Sequence, residues 1–146
     1  MLLTQHRGPK VDALIDRIEE AVRSYPWSHS YRLWPGPNSN TFVAWIARQI
    51  PELELDLPST AIGKDYLGPT TLLASAPSGT GWQVSVLGLA GATLARSEGL
   101  ELNLLGLNVG IDVDDRRLRL PGVGFWPGTM DAANASPLPG AATAAP

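Results

Sequence analysis

The chain has 146 residues, 44% hydrophobic and 17% charged, with a formal net charge of −3, two histidines and no cysteine. That length can bury the core of one domain without a disulfide or a metal. The composition excludes a disordered polyelectrolyte and the basic footprint of a nucleic-acid binder; the missing cysteines exclude disulfides, thiol catalysis and thiolate metal sites, and no cofactor is implied.

Residues 1–10 read as an N-terminal arm. Met1-Leu2-Leu3 is too short an apolar run for a signal peptide, which points to a cytoplasmic chain. The longest charge-free stretch, Tyr66 to Ala95, contains Pro69 and Pro77. Only Trp82 to Ala95 is consistently apolar, short of the ~20 residues of a membrane helix. The expectation is no transmembrane segment, with peripheral membrane contact left open.

Val11, Leu14, Ile15, Ile18 and Val22 recur at helical spacing among Asp12, Asp16, Glu19, Glu20 and Arg23. This predicts an amphipathic helix with Pro9 near its first turn and an end at Tyr25-Pro26. Tyr25 to Pro37 is rich in aromatics and prolines and reads as a rigid extended segment packed on the domain. Asn38-Ser39-Asn40 then supplies N-cap residues for a second helix, with Phe42, Val43, Ile46 and Ile50 on one face and Pro51 as its stop.

Leu53 and Leu55 alternate with Glu54 and Asp56 as a short strand or extended run ended by Pro58. Ala61-Ile62-Gly63-Lys64-Asp65-Tyr66 reads as a loop. Trp82 to Leu87, after Thr80-Gly81, reads as a strand, and period-two alternation follows in Leu100 to Leu104, Val109 to Val113 and Leu118 to Leu120, with turn chemistry at Asp114-Asp115. Gly88, Gly91, Gly106 and Gly110 suggest bulges or close backbone approach. Residues 127–146, nearly all Ala, Pro, Gly, Ser and Thr, read as a disordered tail. The fold class is therefore α+β: two N-terminal helices on a small antiparallel β-meander, one domain over 11–126. The expected core is Leu14, Ile18, Phe42, Ile46, Val84, Val86, Leu102, Leu104, Val109 and Ile111.

Chemistry concentrates in Trp34-Pro35-Gly36-Pro37-Asn38-Ser39-Asn40-Thr41-Phe42. A serine at a helix start could be a nucleophile served by backbone donors, and His29 is the nearest base in sequence, with His6 further away. The simpler reading makes Ser39 or Asn40 the N-cap and His29 structural. Lys64-Asp65 reads as a surface ion pair, with proton transfer as the alternative. Glu101 and Asn103 share a strand face and either line a pocket mouth or face water. Asp112, Asp114 and Asp115 lack the spacing of a calcium loop. The candidate binding set is Trp34, Asn38, Ser39, Asn40, Lys64, Asp65 and Tyr66, for an unidentified small molecule or protein.

Tyr25-Pro26-Trp27, Trp34 through Ile46, Pro51-Glu52-Leu53, Ala61 through Tyr66 and Glu98 through Gly106 together resemble a bacterial family known only as a domain of unknown function. The similarity spans about Ala13 to Gly124. Members of that family carry a further N-terminal β-rich segment with a histidine, so the resemblance implies either a truncated member or a gene with a misplaced start. Asn38-Ser39-Asn40-Thr41-Phe42 is also similar to the helix-opening Asn-Cys-Asn-x-Phe motif of permuted papain-like hydrolases and acyltransferases. Here serine replaces cysteine, and the histidine strand is absent from the sequence. The combined expectation is a non-catalytic ligand- or partner-binding domain using this loop. The alternatives are a serine-dependent hydrolase or acyltransferase with Ser39 as nucleophile, and a peripheral envelope-associated structural protein suggested by Val84 to Leu94 and Leu100 to Leu107.

Overall fold

The computed structural model describes residues 5–112, 117–120 and 124–126. Two helices come first, α1 (Val11–Arg23) and α2 (Ser39–Gln49), followed by a 3-10 turn at Pro51–Leu53. Seven strands follow: β1 (Leu73–Ser75), β2 (Gly81–Val86), β3 (Ala90–Ala95), β4 (Gly99–Leu104), β5 (Leu107–Asp112), β6 (Arg117–Leu120) and β7 (Gly124–Trp126). They form one antiparallel sheet in chain order, an uninterrupted meander. The fold is α+β, as the periodicities predict. Asp114-Asp115 and the tail from Pro127 lie outside the described residues.

α1 carries Asp12 in its first turn and Arg23 in its last, which complements the helix dipole. The Trp45 indole Nε1 donates to the Ala21 carbonyl 3.2 Å away and ties α1 to α2. Leu53 belongs to the 3-10 turn and not to an extended run. Pro51 at the first helical position fixes that turn, and Glu54 closes it in the left-handed region at φ 45°.

The sheet departs from expectation in its facing. Along β4, Glu101 and Asn103 are buried while Leu100, Leu102 and Leu104 are exposed. The same inversion runs through β2, where Gln83 and Ser85 are buried and Trp82, Val84 and Val86 are open. Val84, Val86, Leu102, Leu104, Val109 and Ile111, all expected in the core, therefore stand on the outer face. Leu14, Ile18, Phe42 and Ile46 are half-buried. The physical reason is what lies beneath the sheet. The segment from Leu57 to Leu67 crosses its inner face and brings a buried lysine and aspartate with it, so the strands turn their polar side chains inward to meet them.

The apolar core is small, built on Ala44 of α2 with Leu57 and Ala61 of the crossing segment. Gly91 and Gly110 mark close backbone approach within continuous pairing. A Cβ at Gly91 would stand 2.5 Å from the Val84 carbonyl oxygen. Gly88 and Gly106 lie beside the strands, at hairpin turns, with φ of 72° and 85°. Among the described residues, no helix is long and apolar enough to cross a membrane.

Candidate functional site

Asn38 organises the start of α2. Its Oδ1 accepts from the Asn40 and Thr41 amides at 2.9 and 3.1 Å, and its own backbone N–H donates to Thr41 Oγ1 at 3.1 Å, closing a capping box. Its Nδ2 donates to the carbonyls of Leu33 and Ile62 at 2.9 and 3.0 Å. Asn40 Nδ2 also reaches the Ile62 carbonyl, and Thr41 Oγ1 donates to that of Gly63 at 2.6 Å. The two motifs that stood out in sequence, around Asn38 and around Gly63, are thus stitched together across 22 to 24 residues of chain. Trp34 packs near the β4–β5 turn, since a Cβ at Gly106 would meet its Nε1 at 2.9 Å.

Lys64 and Asp65 lie on the far side of this junction, at 2% exposure each. The surface ion pair expected there is a buried one. Lys64 Nζ donates to Asp65 Oδ1 at 3.1 Å and to Glu101 Oε1. Asp65 Oδ1 also accepts from Gln83 Nε2, and its Oδ2 accepts from Asn103 Nδ2 at 2.8 Å. Asn103 Nδ2 donates to Asn108 Oδ1 as well, and Asn108 Nδ2 to the Ser59 carbonyl at 3.1 Å. Arg48 of α2 closes the cluster through the carbonyls of Ser75 and Lys64 and through Gln83 Oε1.

Burial pushes the Arg48 guanidinium down to about 10, against the pull of Asp65 and Glu98. Burial also acts to lower Lys64, but Asp65 and Glu101 outweigh it and hold the ammonium above its usual value. Two cations and two carboxylates at the centre compensate one another, as burial of charge requires. With Glu101, Asn103, Lys64 and Asp65 all shut away from solvent, the cluster fixes the crossing segment against the sheet. Arg48, Gln83 and Asn108 were missed in sequence. The available signal was the run of polar residues at alternate strand positions, read together with the adjacent Lys64-Asp65.

A different surface is open. Tyr25, Trp27, Phe42, Trp45 and Tyr66 form an edge-to-face aromatic cluster with centroids 5.0 to 6.3 Å apart. Burial, and then Tyr66, push the Tyr25 phenol up. Beside this cluster lies a cleft of about 570 Å³, walled by Tyr25, Trp27 and Phe42, with His29, Tyr31 and Ser39 among its lining. Ser39 is the first residue of α2 and is exposed; the cap is Asn38. His29 and Ser39 share this cleft, and no hydrogen bond joins them. His6 is elsewhere, with Nε2 3.4 Å from the Leu53 carbonyl.

Residues 1–66 are similar to a family described as a protein of unknown function (DUF3750). The similarity takes in both helices, the aromatic segment and the loop ending at Tyr66, and stops before the sheet. No curated protein and no solved structure matches the chain.

Proposed function

We propose that the chain is a non-catalytic binding domain whose ligand enters the aromatic cleft at the start of α2. The observation that carries this reading is the cleft itself, about 570 Å³ with three aromatic walls and a few polar groups at the rim. Small-molecule sites have this size and this mixture. The ligand class it fits is a flat, largely apolar body with one or two hydrogen-bonding groups, stacking on Trp27 and Phe42 and meeting the Ser39 hydroxyl. The α2 amides support a binding role over a catalytic one. Asn40 and Thr41 already donate to Asn38 Oδ1, so these two N–H groups are committed to the cap and not held ready for an oxyanion.

The test is titration with phenol and indole as probes, read by NMR on the aromatic side chains. Saturable shifts at Trp27 and Phe42, lost in Trp27→Ala, are expected. Absence of any saturable shift at these residues sinks the reading.

One observation favours a second reading: His29 and Ser39 line the same cleft. In that reading Ser39 is the nucleophile of a hydrolase or acyltransferase, as the similarity to permuted papain-like enzymes implies, and His29 is its base. A fluorophosphonate probe separates the two. Stoichiometric labelling abolished by both Ser39→Ala and His29→Ala favours the enzyme, and no labelling favours the binding domain.

A further inference from the structure

The outer face of the sheet is apolar along the three rows that the register defines, with Ser75 at the β1 edge as the exception. Ser75, Trp82, Leu94, Leu100, Ile111 and Leu118 lie opposite one another across six strands. The second row is Leu73, Val84, Ala92, Leu102 and Val109, and the third is Val86, Ala90, Leu104 and Leu107. None of these residues is charged. Leu94 is 67% exposed, Leu102 55% and Leu104 64%. Together the exposed side chains open on the order of 1,000 Å² of apolar surface, beyond the roughly 300–600 Å² of the largest patch on a typical monomer.

The inner side of the sheet gives the complement. Among the described residues, the buried apolar side chains are mostly alanines, and the largest buried groups include Lys64, Gln83, Glu101 and Asn108. The strands have thus turned their polar residues inward and their leucines outward. Among the described residues, one face of the sheet meets a polar cluster and no second apolar layer, of the kind domains are built from, covers the other. Residues 127–146 lie outside the described residues, and the large apolar side chains in their sequence are Met130 and Leu138.

We infer that this face is the interface of a homodimer, with the sheets of two copies stacked face to face. The area decides the occupant. Two copies would bury about 2,000 Å² in total, at the upper end of the standard 1,200–2,000 Å² interface and the lower end of obligate dimers. A two-fold contact uses the same patch on both partners, and a face free of charge is complementary to itself without any pairing of opposite signs. Leu102, in the middle row of the middle strand, stands at the centre of the contact. The hydrophobic core of the assembly is then the sandwich between the two chains.

The experiment is sedimentation equilibrium on the full chain, alone and with single substitutions at the face. Twice the monomer mass at micromolar concentration is expected. Leu102→Asp and Leu94→Asp should each weaken association at least ~30-fold, with far-UV circular dichroism unchanged because both side chains point away from the protomer. Leu102→Cys, in a chain with no other cysteine, provides a test that does not depend on a charged substitution. A short bismaleimide should join two copies through it, and Asp16→Cys on the exposed side of α1 should not cross-link. A monomer at ~100 μM would overturn the inference, as would a dimer that tolerates both aspartates. A monomer that floats with phosphatidylcholine–phosphatidylglycerol vesicles would overturn it too, and would assign the face to a bilayer.

Discussion

Asn38 Nδ2 donates to the Ile62 carbonyl at 3.0 Å while its Oδ1 holds the first turn of α2, so one side chain starts the helix and anchors the segment that buries Lys64. Loss of an N-cap costs about 1–2 kcal/mol, and the part-buried Leu33 carbonyl left without its donor adds up to ~1 kcal/mol, while the Ile62 carbonyl keeps the Asn40 side-chain amide. Asn38→Ala should therefore lower unfolding stability by roughly 2–3 kcal/mol. Asn38→Asp keeps the acceptor and loses the donors, so it should fall between the two. Urea denaturation midpoints, with the slope unchanged, would establish the order; equal stability of all three proteins would refute the dual role.

Ser39 makes the contrasting case one residue later. Its exposed hydroxyl has no hydrogen-bond partner among the described residues, and the cap is already filled by Asn38. Ser39→Ala should change stability by less than ~0.5 kcal/mol. A loss comparable to that of Asn38→Ala would mean that the hydroxyl carries structural weight in the helix start.

Both helices were legible in the sequence because the 3.6-residue period of Leu14, Ile18 and Val22, and the asparagines before Thr41, act locally. Strands β2, β4, β5 and β6, unlike β1, β3 and β7, which are short or rich in alanine and glycine, were legible for the same reason. Their facing was not, because alternation says which residues share a side and not which side is inward. Leu100, Leu102 and Leu104 look like a core stripe until Lys64 and Asp65, 36 or more residues earlier, are known to lie under Glu101 and Asn103. The site divides likewise. Asn38 and Ser39 stood out, but the cleft also depends on Tyr25 and Trp27, which only the folded chain brings to Phe42.

Gly63 is the point where the two motifs come closest. Its φ is +93°, and a Cβ placed there would lie 2.3 Å from Asn38 Nδ2. Gly63→Ala meets both backbone strain and a clash with the side chain that organises the junction, so it should cost at least ~2 kcal/mol. Gly8, also at positive φ but with nothing within 4 Å of a Cβ, is the control. Gly8→Ala carries the backbone term alone and should cost clearly less. If the two substitutions proved equal, packing against Asn38 would not be the cause.

Lys64 gives a prediction in two parts. Removing one partner of a buried charge cluster leaves the others uncompensated, so Lys64→Met should destabilise by about 3–5 kcal/mol near neutral pH. The second part concerns alkali. The folded-state pKa of Lys64 lies above the 10.5 of an unperturbed lysine, so the folded chain holds this proton more tightly than the unfolded chain. Its contribution is fully present below pH 10.5 and is lost as pH rises beyond that through the folded pKa. Tyr25, also raised, acts in the same direction above its ordinary value of 10.0. Arg48, lowered to about 10 from 12.5, acts in the opposite one, because the unfolded chain keeps its proton longer. Stability of the native chain and of Lys64→Met, measured by urea unfolding from pH 9 upward, should therefore converge once the pH passes 10.5. A constant gap between the two curves across that range would mean that Lys64 holds its place by packing and not by charge.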